Sequence, residues 1–365
     1  QSDAHILHGI DQNGNSILVK LILRQHRLAE VILCLRLSNG AIYVLPNEPE
    51  ALLCSIPSRQ WKAGGLSITI VEPLYRIRLL YNGFLKNLKN GKVEHVKFNF
   101  IWNTADKPLY YPQDSSNSLL ADALAKEPWR DGSWIELMGD ERGFEQYGAL
   151  QGFVTGDSFT ENYLLQLPCV RRQCWGSSEA FALYRNFSVF VVGRDGTLFN
   201  IGCKSFKKGC SQMKYGSILD NTGHIYTVDQ HDINLEYIGE RSIPDMITIH
   251  LKGNKKTYKC ILHINNETIV TTQSNALYGW DLKMLSAECI LDCQHAKAVA
   301  SFWYSKRGTG VDLPDSLLSE PITDTPYVNL LAPFSSTECK IKSLAGGKGS
   351  SLALLSSLNS KNVSF

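Results

Sequence analysis

Short runs of Val, Ile, Leu, Phe and Tyr recur along the chain, separated by dipeptides suited to tight turns. Val31–Leu37 and Ala41–Leu45 flank Ser38-Asn39-Gly40, and Phe187–Val192 and Thr197–Ile201 flank Gly193-Arg194-Asp195-Gly196. Ile218–Leu219 and His224–Val228 flank a third turn at Asp220–Gly223. Asn-Gly recurs at 13–14, 39–40, 82–83 and 90–91, and Asp-Gly at 131–132 and 195–196. These pairs accept positive φ at little cost, as two-residue hairpin turns require. Consecutive hairpins without long helical periods predict a mainly β chain of antiparallel barrels or sandwiches. One helix is expected, over Asn117–Lys126, where strong helix formers carry apolar residues at helical spacing and stop before Pro128.

Changes of pattern along the chain predict its organisation. A first β unit is expected over residues 1–112, a helical connection over 113–143 and a second β unit over 144–307. Residues 308–340, with Pro314, Pro321, Pro326 and Pro333, have the composition of a linker. Residues 341–365 turn glycine-rich and then helix-forming, as at the start of a further domain.

Composition narrows the function classes. Hydrophobic residues make up 44% of the 365 positions, enough for more than one core, so disorder of the whole chain is excluded. With 37 basic and 35 acidic residues the net charge is +2, so nucleic-acid binding driven by bulk charge is not expected. No run reaches the length of an apolar membrane span: Ala29–Leu37 is already broken by Glu30 and Arg36. The ten cysteines form no Cys-x-x-Cys pair, and Cys289, Cys293 and His295 lack a fourth zinc ligand. That scatter predicts free thiols in a reducing, cytoplasmic setting. The near-neutral charge and the lack of an apolar span predict no nucleic-acid or membrane partner. No Gly-x-Ser-x-Gly elbow supports a hydrolase. Glu145 and Gln146, at the head of a β run, are expected to face solvent.

The sharpest local signal is Leu344-Ala-Gly-Gly-Lys348-Gly-Ser-Ser-Leu-Ala-Leu-Leu355. Glycines let a backbone approach an anion, and a helix start adds free N–H groups. It is not a Walker A motif, because Gly349 rather than Ser or Thr follows the lysine. The segment resembles the opening of the nucleotide-binding domain in phosphoenolpyruvate synthases, pyruvate phosphate dikinases and rifampicin phosphotransferases. Upstream, Gly9–Leu18, Phe98–Trp102, Ala121–Trp129 and Phe144–Gly148 resemble the N-terminal region of arthropod phosphoenolpyruvate-synthase-like proteins. That region is similar to the double lipocalin-like fold of carotenoid hydratase relatives.

The resemblance implies two lipocalin-like β units followed by the first turn of an ATP-grasp-like domain. It implies that Gly346, Gly347, Lys348 and Gly349 approach ATP phosphates in a longer protein. That parent would be an ATP-dependent phosphotransferase using Mg²⁺, its partners the ATP-grasp-like and phosphohistidine domains of its own polypeptide. This chain alone is then expected to be an inactive N-terminal fragment, with no catalytic residue, metal site or bound cofactor of its own. Relatives carry Arg-Asp-His-Ser-Trp/Phe-Gly where this chain has Arg171-Arg172-Gln173-Cys174-Trp175-Gly176. Arginine and glutamine cannot replace the acid–base pair, so hydratase or isomerase chemistry is not expected there. Arg171, Gln173 and Trp175 are candidates to line a ligand cavity. The alternative function is therefore an apolar small-molecule binding β-barrel, or a docking domain with a side-chain-filled interior.

Overall fold

The structure is a computed structural model that describes residues 2–23, 28–46, 52–53, 60–104, 106–127, 142–159, 162–176, 183–206, 209–238, 243–272 and 280–305. All lie within Gln1–Val311, one compact unit. The expected linker 308–340 and the glycine-rich segment 341–365 lie outside the described residues.

The first strands are β1 (Ser2–Ile10), β2 (Ser16–Leu23), β3 (Leu28–Arg36), β4 (Ile42–Val44), β5 (Leu52–Leu53) and β6 (Gln60–Ala63). They are followed by β7 (Leu66–Glu72), β8 (Arg76–Asn87), β9 (Val93–Asn103), β10 (Leu109–Tyr111), helix α1 (Asn117–Ala125), β11 (Arg142–Gly156) and β12 (Tyr163–Gly176). Next come β13 (Leu183–Gly193), β14 (Leu198–Phe206), β15 (Gly209–Leu219), β16 (Ile225–Thr227) and β17 (Gln230–His231). The last are β18 (Met246–Gly253), β19 (Lys256–Thr272), β20 (Trp280–Leu291) and β21 (Gln294–Ser305).

The chain is mainly β, and its strands form two antiparallel sheets. In the first, β1, β2, β3, β4, β8, β9, β11 and β12 pair in a ring, because β9 bonds both β8 and β11 while β12 bonds β1. This is a closed barrel, which leaves no open edge along the ring. The second sheet runs β16-β15-β14-β13-β21-β20-β19-β18-β17. Its two ends are drawn together by Val228 N–H donating to Gly216 O (2.9 Å) and Asp229 N–H donating to Lys252 O (2.8 Å).

Period-two patterning builds both interiors. On β8 and β9, Ile77, Leu79, Tyr81, Val96, Phe98, Phe100 and Trp102 are buried inward, while Arg76 and Arg78 point out. Elsewhere the alternation gives way to continuous apolar runs, because the two barrels cover each other's outer faces. Leu18, Ile32, Cys34 and Val44 pack against Leu282, Met284 and Trp303, and Ile10, Tyr147 and Val170 against Phe190, Val192, Leu198 and Val299. Helix α1 starts at Ser116, whose hydroxyl accepts from Leu119 N–H (3.4 Å), and Leu119 joins the second barrel's core.

Three sequence expectations change. The strands over 142–176 lie in the first sheet, not in a second unit beginning at 144, because they alone bridge β1 to β9. Helix α1 accordingly sits in an excursion between β10 and β11 of that same sheet. Asn82-Gly83 is not a turn but the middle of β8, where Asn82 N–H donates to Gly65 O (3.0 Å).

The seam between barrels carries a buried polar set. Tyr147, fully buried, accepts from Asn200 N–H (3.0 Å) and donates to Ser217 O (2.8 Å). Tyr147→Phe would leave both backbone groups without that partner, and we expect a loss of about 2 kcal/mol in urea unfolding. A variant as stable as the parent would show that the seam does not depend on this hydroxyl.

Candidate functional site at one end of the first barrel

Strand alternation decides where the sequence candidates point. Leu165, Leu167 and Cys169 belong to the first barrel's core, and two-residue periodicity carries the same inward face on to Arg171, Gln173 and Trp175. Their Cα partners on β1 are Leu7, His5 and Asp3. On the other side, Gln146 and Phe144 of β11 stand opposite Arg171 and Gln173. Three strands therefore bring a polar layer to one end of an otherwise apolar interior.

Arg171 is only 1% exposed. Its guanidinium lies 5.0 Å from the Phe144 ring and 5.3 Å from the Trp102 ring, and Nη2 donates to Gln173 Oε1 at 3.3 Å. Nε and Nη1 have no partner. Gln173 Nε2 donates in turn to Asp3 Oδ1 (3.4 Å), so the carboxylate reaches the guanidinium through an amide. His5 is fully buried, edge-on to Trp61 with ring centroids 3.9 Å apart, and neither ring nitrogen is bonded. Gln146 donates to Asp106 O (3.1 Å) but leaves Oε1 unpartnered, as is Trp102 Nε1. Trp175 is 39% exposed and meets Phe144 edge-on at 6.3 Å, which places it at the rim.

Burial sets the protonation states. It pushes the Asp3 carboxyl up to about 6 against the lowering effect of Gln173. It holds His5 well below the usual imidazole range, helped by the Arg171 charge, so the ring is neutral. Burial also brings Arg171 down to about 10, leaving it a cation at neutral pH. The layer thus holds a buried cation with two unbonded donors, a carboxylate one amide away, neutral donors and acceptors, and aromatic walls. These side chains are close-packed, so that combination could meet a molecule with one polar end only where the packing opens.

The neighbouring Arg172 points the other way. It stands opposite Glu145 in register and donates from Nε to Tyr111 Oη (3.0 Å), in the seam rather than the barrel. Glu145 accepts from Asn200 Nδ2 (2.7 Å) and from Ser217 Oγ, and its carboxyl is raised chiefly by burial. The expectation that Glu145 and Gln146 face solvent is corrected: Gln146 is 1% exposed and Glu145 is bonded into the seam.

Sequence reasoning found Arg171, Gln173 and Trp175 but missed Asp3, His5 and Gln146. The alternation Asp3-x-His5-x-Leu7 was the available signal, but its partner strand lies far along the chain. The phosphate cradle expected at Gly346, Gly347, Lys348 and Gly349 lies outside the described residues. Among the described residues no group of three or more His, Cys, Asp or Glu is placed to hold a metal ion. Nor is any described helix long and apolar enough to cross a membrane.

Comparison with known proteins places these features. The sequence pattern of a family of unknown function, DUF8627, matches residues 1–304. No curated protein matches the chain by sequence. Among solved structures, a candidate AttH protein from Nitrosomonas europaea is similar at 11% identity, over 84% of this chain and 93% of that one, with a TM-score of 0.55. CghA solved with Sch210972 is similar at 9% identity, over 83% and 88% of the two chains, with a TM-score of 0.51. Kievitone hydratase from Nectria haematococca is 10% identical, over 84% and 89%, at a TM-score of 0.47. At these identities the likeness is one of fold, a lipocalin-like pair of β-barrel units. Nothing in the family or in these structures supports the expected phosphoenolpyruvate-synthase identity, ATP or Mg²⁺.

Proposed function

The chain belongs to that family of unknown function, DUF8627, and from this premise we propose that its first barrel binds a small, largely apolar molecule at the Arg171 end. One observation supports the reading: Arg171 and His5 are buried beside aromatic rings, Gln146 is buried opposite Arg171, and all three keep polar atoms without a hydrogen-bond partner. Buried polar groups are nearly always bonded, so such a cluster calls for a guest that supplies the missing partners. The rest of the interior is filled by Leu7, Val19, Leu33, Phe100, Leu150 and Leu167, so a guest would enter by opening the packing at the polar end. The structure of CghA with Sch210972 is an instance of a small molecule accompanying this fold.

Trp61, Trp102 and Trp175 stand beside His5, Arg171 and Phe144 and would report on a guest at this end. Titration with retinoid- or terpenoid-like compounds is expected to quench tryptophan emission saturably at micromolar concentration. Linear, unsaturable quenching with every compound would overturn the reading and favour a docking domain with a sealed interior.

A second reading rests on the resemblances of Leu344–Leu355 and of the upstream segments Gly9–Leu18, Phe98–Trp102, Ala121–Trp129 and Phe144–Gly148: these barrels precede an ATP-dependent phosphotransferase whose ATP-grasp-like and phosphohistidine domains are their partners. The full-length transcript tests it, since a stop codon directly after Phe365 would remove those domains.

A further inference from the structure

We propose that the β8–β9 hairpin of the first barrel docks the protein on an anionic membrane surface. The hairpin lies at the far end of β11 from Arg171, since Gly156 pairs with Val96 whereas Gln146 pairs with Arg171. Between Phe84 and Lys97 the sequence sets Lys86, Lys89, Lys92 and Lys97 against one acid, Glu94. Alternation turns Glu94 inward with Val96 and Phe98, beside the Tyr43 hydroxyl, while all four lysines are exposed. Among the described residues none of the four is in an ion pair. The net charge of +2 hides this local excess, which is why charge counted over the whole chain predicts no such partner.

Three apolar side chains stand among these lysines: Phe84 is 59% exposed, Val93 52% and Leu88 38%. Val93 pairs with Lys86 and Phe84 with His95, so Phe84 and Val93 sit diagonally on one outer face. No residue of β8 or β9 belongs to the apolar clusters of the seam, so the second barrel does not cover that face. The turn holds itself in shape. Asn87 N–H donates to Lys92 O, Gly91 N–H to Asn87 O and Leu88 N–H to Ile42 O, each at 2.8 Å. The Asn87 and Asn90 side-chain oxygens accept from Lys89 and Lys92 N–H, each at 2.9 Å. These amides would meet a low-dielectric boundary already bonded. A bilayer interface accepts both kinds of side chain, apolar groups at the acyl boundary and lysine heads at the anionic phosphates. A protein partner fits less well, because protein interfaces favour arginine and are depleted of lysine.

Co-sedimentation of the full chain with sucrose-loaded vesicles tests this. Vesicles of phosphatidylserine and phosphatidylcholine in equal parts are expected to bind it at least about tenfold more tightly than phosphatidylcholine alone, as the pull of several lysines implies. Lys89→Glu with Lys92→Glu is expected to abolish that preference. Lys252→Glu with Lys255→Glu makes the same charge change on the second barrel and is expected to keep parental binding. Phe84→Ser with Val93→Thr keeps every charge, and its binding is expected to be released by salt that leaves part of the parent's in place. All these side chains are exposed, and circular dichroism checks that each variant is folded. Equal binding of the parent to both kinds of vesicle would overturn the proposal. So would binding to neither, which would leave an acidic protein as the partner of the tip. Unchanged binding in the Lys89/Lys92 variant would place the contact elsewhere, and an equal loss in the Lys252/Lys255 variant would reduce it to net charge; either overturns it. A Phe84/Val93 variant as salt-resistant as the parent would remove the apolar half of the contact and overturn it as well.

Discussion

Lowering the pH from 7 to 4 is expected to remove roughly 3 kcal/mol of stability for each of two buried histidines, His8 and His231. Burial brings both imidazoles down to about 4, with the Lys214 charge adding to the effect at His231. In the unfolded chain they regain the ordinary value of 6.5. Between those values the unfolded state binds protons that the folded state refuses, so stability is full above about pH 6.5 and falls toward pH 4. His5 acts in the same direction. Asp3 and Glu145 act in the opposite one: burial raises both carboxyls, so the folded state takes up their protons first and gains as pH falls. Asp3 is partly open to solvent, which weakens its share. His8 packs against Phe190 in the seam, so His8→Leu keeps an apolar contact there and removes one titrating group. Urea unfolding from pH 4 to 7 is expected to show a steep acid decline in the parent and a shallower one in His8→Leu. A parent profile that is flat or rising toward pH 4 would refute this account.

Gly148→Val is expected to cost about 3 kcal/mol or more, the upper end for overpacking a closed interior. A Cβ at position 148 would lie 2.4 Å from Asn103 O and 2.8 Å from Trp102 Cε2. One is backbone and the other a fully buried ring, so neither can give way cheaply. The clash falls on the β9–β11 pairing that closes the barrel, where Leu150 stands opposite Trp102 and Ala149 opposite Asn103. It also displaces an aromatic wall of the Arg171 site, so ligand quenching should weaken along with stability. Denaturant midpoints test the first effect, and a variant within about 0.5 kcal/mol of the parent would show that the strands separate freely here.

Local structure was legible in the sequence because local chemistry decides it. The Ser38-Asn39-Gly40 and Asp195-Gly196 turns form as expected, with Gly40 at φ +82° and Gly196 at φ +89°. Helix α1 begins where the Ser116 cap stands and ends one residue short of the predicted Lys126. Asn82-Gly83 misled because pairing with Lys97 and Val96 of β9 overrides the dipeptide's turn preference; Tyr81 folds its ring across the glycine, and an added Cβ would meet Tyr81 Oη at 2.9 Å. Long-range pairing left no local mark. Nothing near β1 announces that Asp3 and His5 will meet Gln173, and nothing near Arg172 says that it faces outward while its neighbours face in. The expected boundary at 144 failed for the same reason: it followed chain order, whereas the barrel follows hydrogen bonds.

The closure of the first barrel through β11 and β12 has a bearing on how the protein can be divided. A piece ending near residue 112 or 143 would carry β1 without β12 and β9 without β11. Two runs of unmet N–H and C=O groups would then flank a half-open interior of Leu7, Phe98, Phe100 and Trp102. Such a fragment is a template for intermolecular β-pairing rather than a smaller domain. Any truncation meant to isolate the first barrel has to run through Gly176, where β12 completes its ladder with β1.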